Sequence, residues 1–131
     1  MTFTLTMDAA DPRRLGDFWA LALGYRPEDP PGNFATWEEA LTSWGLPEER
    51  WNDAYAIVGD GPRIFIQKVP EPKTAKNRLH LDLETDDRAA EVARLVELGA
   101  THVADHDEWG ISWSVLTDPE GNEFCVAGPH P

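Results

Sequence analysis

The chain opens on alternation. Phe3, Leu5 and Met7 are apolar and Thr4 and Thr6 are polar, a period of two that puts successive side chains on opposite faces of a strand. The alternation returns further on, where Leu79, Leu81 and Leu83 share one face and His80, Asp82 and Glu84 the other. Each strand runs into a helix signal. Asp11 before Pro12 supplies a cap and a favoured first helical residue, and Asp86 or Asp87 serves a second helix. Leu15, Phe18, Trp19 and Ala22 follow helical spacing, as do Ala89, Val92, Ala93 and Val96. Both helices stop at Leu-Gly, Leu23-Gly24 and Leu98-Gly99, where glycine can take the left-handed C-terminal conformation.

The two halves continue alike. Ala54–Gly59 and Arg63–Val69 read as strands joined by the turn Gly59-Asp60-Gly61-Pro62, and Tyr25–Glu28 completes the first set as a short strand. Thr101–Asp105, Ser112–Thr117 and Glu123–Ala127 read as three strands, the last two joined by Asp118-Pro119-Glu120-Gly121-Asn122. The pattern predicts an α+β chain of two strand–helix–three-strand modules, the first about residues 1–70 and the second about 78–128. Pro70–Asn77 links them. Residues 29–52 are extra to the first module: a capped helix at Thr36–Ala40, a second short helix at Leu46–Trp51, and Trp37, Trp44 and Trp51 at seven-residue spacing. Helical arithmetic would stack the three indoles on one stripe, but Gly45 and Pro47 interrupt it. Either the tryptophans seal a flap to the sheet, or one or two of them wall a ligand site.

Composition narrows the partners. The 131 residues are 41% hydrophobic and 27% charged, with a formal net charge of −13. This is a globular composition, and it repels phosphate backbones and anionic lipid. Nucleic-acid and membrane-surface partners are therefore not expected, and a cationic or neutral small ligand is easier to accommodate. The single cysteine, Cys125, cannot form an internal disulfide, which fits a reducing, cytoplasmic compartment. The N-terminus lacks the basic start and apolar core of a signal peptide. No P-loop, GxGxxG, GxSxG or CxxC motif is present. His102 and His106, four apart on a predicted strand, would share one face beside Asp105, Asp107 and Glu108 and read as a solvated edge. His130 lies in a proline-bounded tail expected to be disordered.

The two modules, the Asp118-Pro119-Glu120-Gly121-Asn122 turn and the run Lys76-Asn77-Arg78-Leu79-His80-Leu81-Asp82-Leu83 resemble the vicinal oxygen chelate superfamily, the glyoxalase, bleomycin-resistance and dioxygenase group, in its glyoxalase-like branch. The resemblance spans the chain as one glyoxalase-like domain. It implies two βαβββ modules forming a curled mixed sheet around a cleft, with helices on the outer face and a helical insertion in the first module. It also implies a homodimer and, in the enzymes, a divalent metal held by His, Gln or Glu from the first and last strands of each module. By position that set would be Thr4, Gln67, His80 and Cys125. Only His80 and Gln67 are competent ligands for such an ion, so the metal site reads as degenerate.

Thr4, Thr6, His80 and Asp82 would face the cleft, and together with Trp37, Gln67, Trp113 and Cys125 they are the candidate ligand-binding residues. His80 is also the candidate catalytic residue, as base or metal ligand, with Asp82 on its own face. Cys125 reads as a buried filler or, less simply, a nucleophile. Two functions follow: a binding module that sequesters an aromatic or cationic small molecule, and a lyase/isomerase- or dioxygenase-type enzyme using His80. The missing ligands and the supply of aromatic residues favour the binder.

Overall fold

The computed structural model describes residues 1–128; His130 lies outside them. The chain divides into two compact units, Met1–Pro72 and a second beginning at Lys73.

The first unit runs β1 (Thr4–Ala9), α1 (Pro12–Leu23), β2 (Arg26–Pro27), α2 (Trp37–Ser43), a 3-10 turn (Glu48–Arg50), β3 (Ala54–Val58) and β4 (Arg63–Lys68). Its sheet has the order β1-β4-β3-β2. β1 is parallel to β4, from Thr4 opposite Arg63 to Ala9 opposite Lys68, and β3 is antiparallel to β4. The α1 boundaries follow from their caps. The Asp11 carboxylate accepts from Arg14 N–H at 3.2 Å, Pro12 opens the first turn, and Gly24 closes the helix at φ 71°, a conformation a side chain would strain. Leu15, Phe18 and Trp19 of α1 are buried with Ile57, Ile64 and Ile66 of the sheet. Burying such a side chain contributes about 1.5–3 kcal/mol, so this set forms the unit's core.

The second unit repeats the plan: β5 (Asp82–Glu84), α3 (Arg88–Leu98), β6 (Thr101–Glu108), β7 (Ile111–Thr117) and β8 (Glu123–Gly128), in the sheet order β5-β8-β7-β6. β5 is parallel to β8 and the other pairs are antiparallel. The fold is thus α+β, two four-stranded mixed sheets from two βαβββ modules. Leu95 is buried with Leu116, Phe124 and Val126. The Asp118 carboxylate, 4% exposed, ties its turn together by accepting from Glu120 N–H at 2.9 Å and from Asn122 N–H at 3.0 Å. Among the described residues no helix is long and apolar enough to cross a membrane.

Three expectations need correction. The buried side of α3 centres on Leu95, with Val92 and Leu98 half-buried, while Ala89, Ala93 and Val96 are exposed. Leucines bury more apolar area than alanines and so set the helix rotation. Arg88 lies on that inner side and donates to Ser114 Oγ at 2.9 Å. The strand expected from Leu79 begins only at Asp82. Ahead of it Asn77 bonds Glu123 through its own N–H and its side-chain amide, both at 3.3 Å. His102 and His106 do not share a face, because a register shift between His102 and Ala104 turns the strand over. His102 bonds Asp105 at 2.8 Å, and His106 stacks on Trp113.

Candidate functional site

The insertion of the first unit builds a cavity of about 230 Å³. α2 starts where the Thr36 hydroxyl accepts from Glu39 N–H at 3.2 Å and Glu39 accepts from Ala35 N–H at 3.1 Å, a variant of the capping box. It ends at Trp44, and Gly45 follows at φ 76°. The chain reverses through Pro47 and the 3-10 turn to Trp51. The three tryptophans therefore do not form a helical stripe, yet Trp37, Trp44 and Trp51 all line one cavity with Leu41 and Leu46. Opposite strand partners Ala56 and Phe65, with Ala54 on the same face, line it from the sheet. Alanines at alternate positions of β3 leave room over the sheet that larger side chains would fill.

Most polar groups within this lining are spent on the protein itself. Trp37 Nε1–H donates to the Glu28 carbonyl at 2.6 Å and Trp51 Nε1–H to the Leu46 carbonyl at 3.0 Å. Both oxygens of Glu28 accept from Arg63, Nε–H at 2.8 Å and Nη2–H at 3.0 Å, which raises the arginine further above its ordinary pKa. Arg50 Nε–H donates to Asp53 at 2.8 Å. The Arg63 guanidinium lies 5.4 Å from the Phe65 ring centre, and that of Arg13 5.4 Å from the Tyr55 ring centre. The Tyr55 hydroxyl donates to Asp17 at 2.8 Å; burial and that carboxylate push its pKa up to about 12. Asn52 joins the insertion to the start of α1, accepting from Arg13 N–H at 2.9 Å and donating to Asp11 at 2.8 Å. That bond and the Arg14 amide hold the Asp11 carboxyl below its usual range. What remains open to a ligand is ring face, aliphatic surface and the Arg13 guanidinium.

A second constellation lies in the second unit. Register places Asp82 opposite Cys125, and His80 Nδ1 stands 3.3 Å from Asp82 Oδ1. His80, Asp82 and Cys125 each offer a donor atom within 4.8 Å of the others. Burial first, and then the Asp82 charge, push the Cys125 thiol up. The remaining candidates are scattered. Thr4, Thr6 and Gln67 share one exposed face of the first sheet, where Gln67 Nε2–H donates to Asp8 at 2.8 Å. Trp113 sits in a ladder, 5.1 Å from the His106 ring and 6.4 Å from Trp109. Trp109 is 85% exposed at a hairpin tip with φ 55°.

The sequence profile of the family described as a glyoxalase-like domain matches residues 4–127. The chain belongs to that family. No curated protein sequence matches it. Solved structures of the glyoxalase/bleomycin resistance/dioxygenase group share the fold. A glyoxalase/bleomycin resistance protein/dioxygenase family enzyme from Burkholderia phytofirmans PsJN is 15% identical, with TM-score 0.65 over 95% of both chains. The bleomycin-binding protein of Streptomyces verticillus, solved with copper(II)-bleomycin, is 14% identical, with TM-score 0.57 over 98% of this chain and 95% of that one. TnmS3, an antibiotic binding protein from Streptomyces sp. CB03234, is 20% identical, with TM-score 0.56 over the same shares.

The glyoxalase-like family implies a divalent metal, and the donor set argues against a hard octahedral ion in this member. Such ions take oxygen and imidazole ligands, whereas one of the three donors is a sulfur, which suits a softer ion such as zinc. Sequence reasoning singled out Trp37, but it missed Phe65, Ala54, Ala56 and the Glu28–Arg63 pair as lining residues. The small-residue alternation of β3 was the available signal.

Proposed function

We propose that this glyoxalase-like domain is a binding protein for an aromatic small molecule, held in the cavity of its first unit. One observation carries the reading: three tryptophans from a helix start, a helix end and a turn converge on one space with Phe65. The indole N–H groups of Trp37 and Trp51, already bonded to backbone carbonyls, leave their ring faces as the recognition surface. Each well-placed aromatic contact contributes about 0.5–1.5 kcal/mol beyond its buried area. The bleomycin-binding and antibiotic-binding relatives support the class of function. The lone Cys125 supports a reducing, cytoplasmic setting, and the homodimer expected from the family is read directly by light scattering. The test is tryptophan emission during titration with 2-naphthylmethanol and with bleomycin. Saturable quenching that Trp51→Ala weakens about tenfold or more is expected. Flat emission with both probes would refute the reading.

The second reading is an enzyme of the lyase/isomerase or dioxygenase type using His80, and the His80–Asp82–Cys125 group favours it. Elemental analysis after incubation with manganese, nickel or zinc separates the two. About one ion per chain, lost in His80→Ala, would favour the enzyme.

A further inference from the structure

The whole chain carries a net charge of −13, which alone would direct attention to cationic ligands. The cavity has the opposite bias. Three arginines, Arg13, Arg50 and Arg63, line it against two carboxylates, Glu28 and Asp53. Both carboxylates are already engaged. Glu28 has each oxygen on Arg63, and Asp53 receives Arg50 Nε–H at 2.8 Å. An entering cation would find no uncommitted negative group in the lining.

Arg13 differs from the other two. Its guanidinium rests over the Tyr55 ring, and it forms no ion pair with a carboxylate among the described residues. Asp17, one helical turn further on, is occupied by the Tyr55 hydroxyl. The Arg13 backbone N–H is fixed by Asn52, so the side chain is anchored at its root, and its guanidinium lies over the Tyr55 ring while its donors stay available. At about 0.15 M salt the distant acidic surface is screened beyond roughly 8 Å, and the groups lining the cavity decide which charge is accepted.

We propose that the ligand of the tryptophan-lined cavity is an aromatic anion, its rings among the indoles and its carboxylate or equivalent acid group met by Arg13. This rests on the binding reading above and adds the charge of the ligand. A guanidinium presents paired N–H donors that match a carboxylate, and the ring system supplies the affinity that a partly exposed ion pair cannot.

Three probes of one shape test it: 2-naphthoate, neutral 2-naphthylmethanol and cationic 2-naphthylmethylammonium, titrated by tryptophan emission at about 0.15 M salt. Naphthoate should bind about three- to tenfold tighter than the neutral probe, and the ammonium probe weakest. Arg13→Gln should bring naphthoate to within about twofold of the neutral probe. Arg13→Lys should keep part of the preference, and Arg14→Gln, whose side chain does not line the cavity, should keep all of it. Equal binding of the three probes, tighter binding of the cation, or a naphthoate preference that survives Arg13→Gln would overturn the inference and leave the aromatic site standing. Failure of all three probes to bind would overturn both.

Discussion

Gly16→Ala places one methyl where the first unit is most closely packed. Gly16 is buried in the middle of α1. A Cβ there would lie 2.6 Å from Tyr55 Cε2, nearer still to Cδ2, and 3.1 Å from Ile66 Cδ1. Ordinary carbon contacts are about 3.5–4.0 Å, so the ring must retreat by more than about 1 Å. It cannot do so freely, because its strand is paired with β4, its hydroxyl is bonded to Asp17 and Arg13 covers its face. Overpacking of this kind costs about 1–3 kcal/mol, and a weakened Tyr55–Asp17 bond adds about 1 kcal/mol. The better helix propensity of alanine offsets about 1 kcal/mol. The expected net loss is about 1–3 kcal/mol, read as a lower urea midpoint by far-ultraviolet circular dichroism. In a Tyr55→Ala background the same substitution should be neutral or stabilising by up to about 1 kcal/mol. An unchanged or raised midpoint for Gly16→Ala in the parent protein would refute the close approach of α1 to Tyr55.

Other expectations follow from single side chains. Tyr55, with its pKa raised to about 12, contributes stability that is intact below about pH 10 and lost as pH rises towards 12. With allowance for solvent at the hydroxyl this is about 1–2 kcal/mol, and urea midpoints at stepped alkaline pH should fall more steeply than in Tyr55→Phe. Cys125 should alkylate with iodoacetamide more slowly at neutral pH than a free cysteine. Asp82→Asn should speed it, because it removes the charge that helps raise the thiol; equal rates would contradict that role. Asp118→Ala leaves the Glu120 and Asn122 amides without their acceptor and should cost about 2–4 kcal/mol in thermal unfolding. Asp118→Asn, which keeps one acceptor oxygen, should recover part of this.

Local signals carried most of the fold. Alternation at Leu5 and Met7, Asp11-Pro12 and Gly24 each depend on a few neighbouring residues, and for that reason β1 and α1 were legible. The side of α3 that faces the sheet was not. Its alanines and valines permit two rotations, and only burial of Leu95 where α3 packs on β8 selects one. The shift between His102 and Ala104 was equally hidden, because a bulge exists only relative to the paired strand. At the site, the spacing of Trp37, Trp44 and Trp51 was visible but its meaning was not. Heptad spacing suggests a stripe, whereas a left-handed Gly45 and a turn through Pro47 bring the rings together from separate elements. Pairing of Ala56 with Phe65 completes the cavity, and such pairing cannot be read from one strand alone.

Fluorine NMR of protein labelled with 5-fluorotryptophan bears directly on where the ligand sits, since the six tryptophans divide among the core, the cavity and the hairpin ladder. Each resonance is assigned by single substitution to phenylalanine, and 2-naphthylmethanol is then added. Trp37, Trp44 and Trp51 should move together with saturation, while Trp19 in the core and Trp109 and Trp113 in the ladder stay in place. Shifts confined to Trp109 and Trp113 would contradict a ligand site in the first unit.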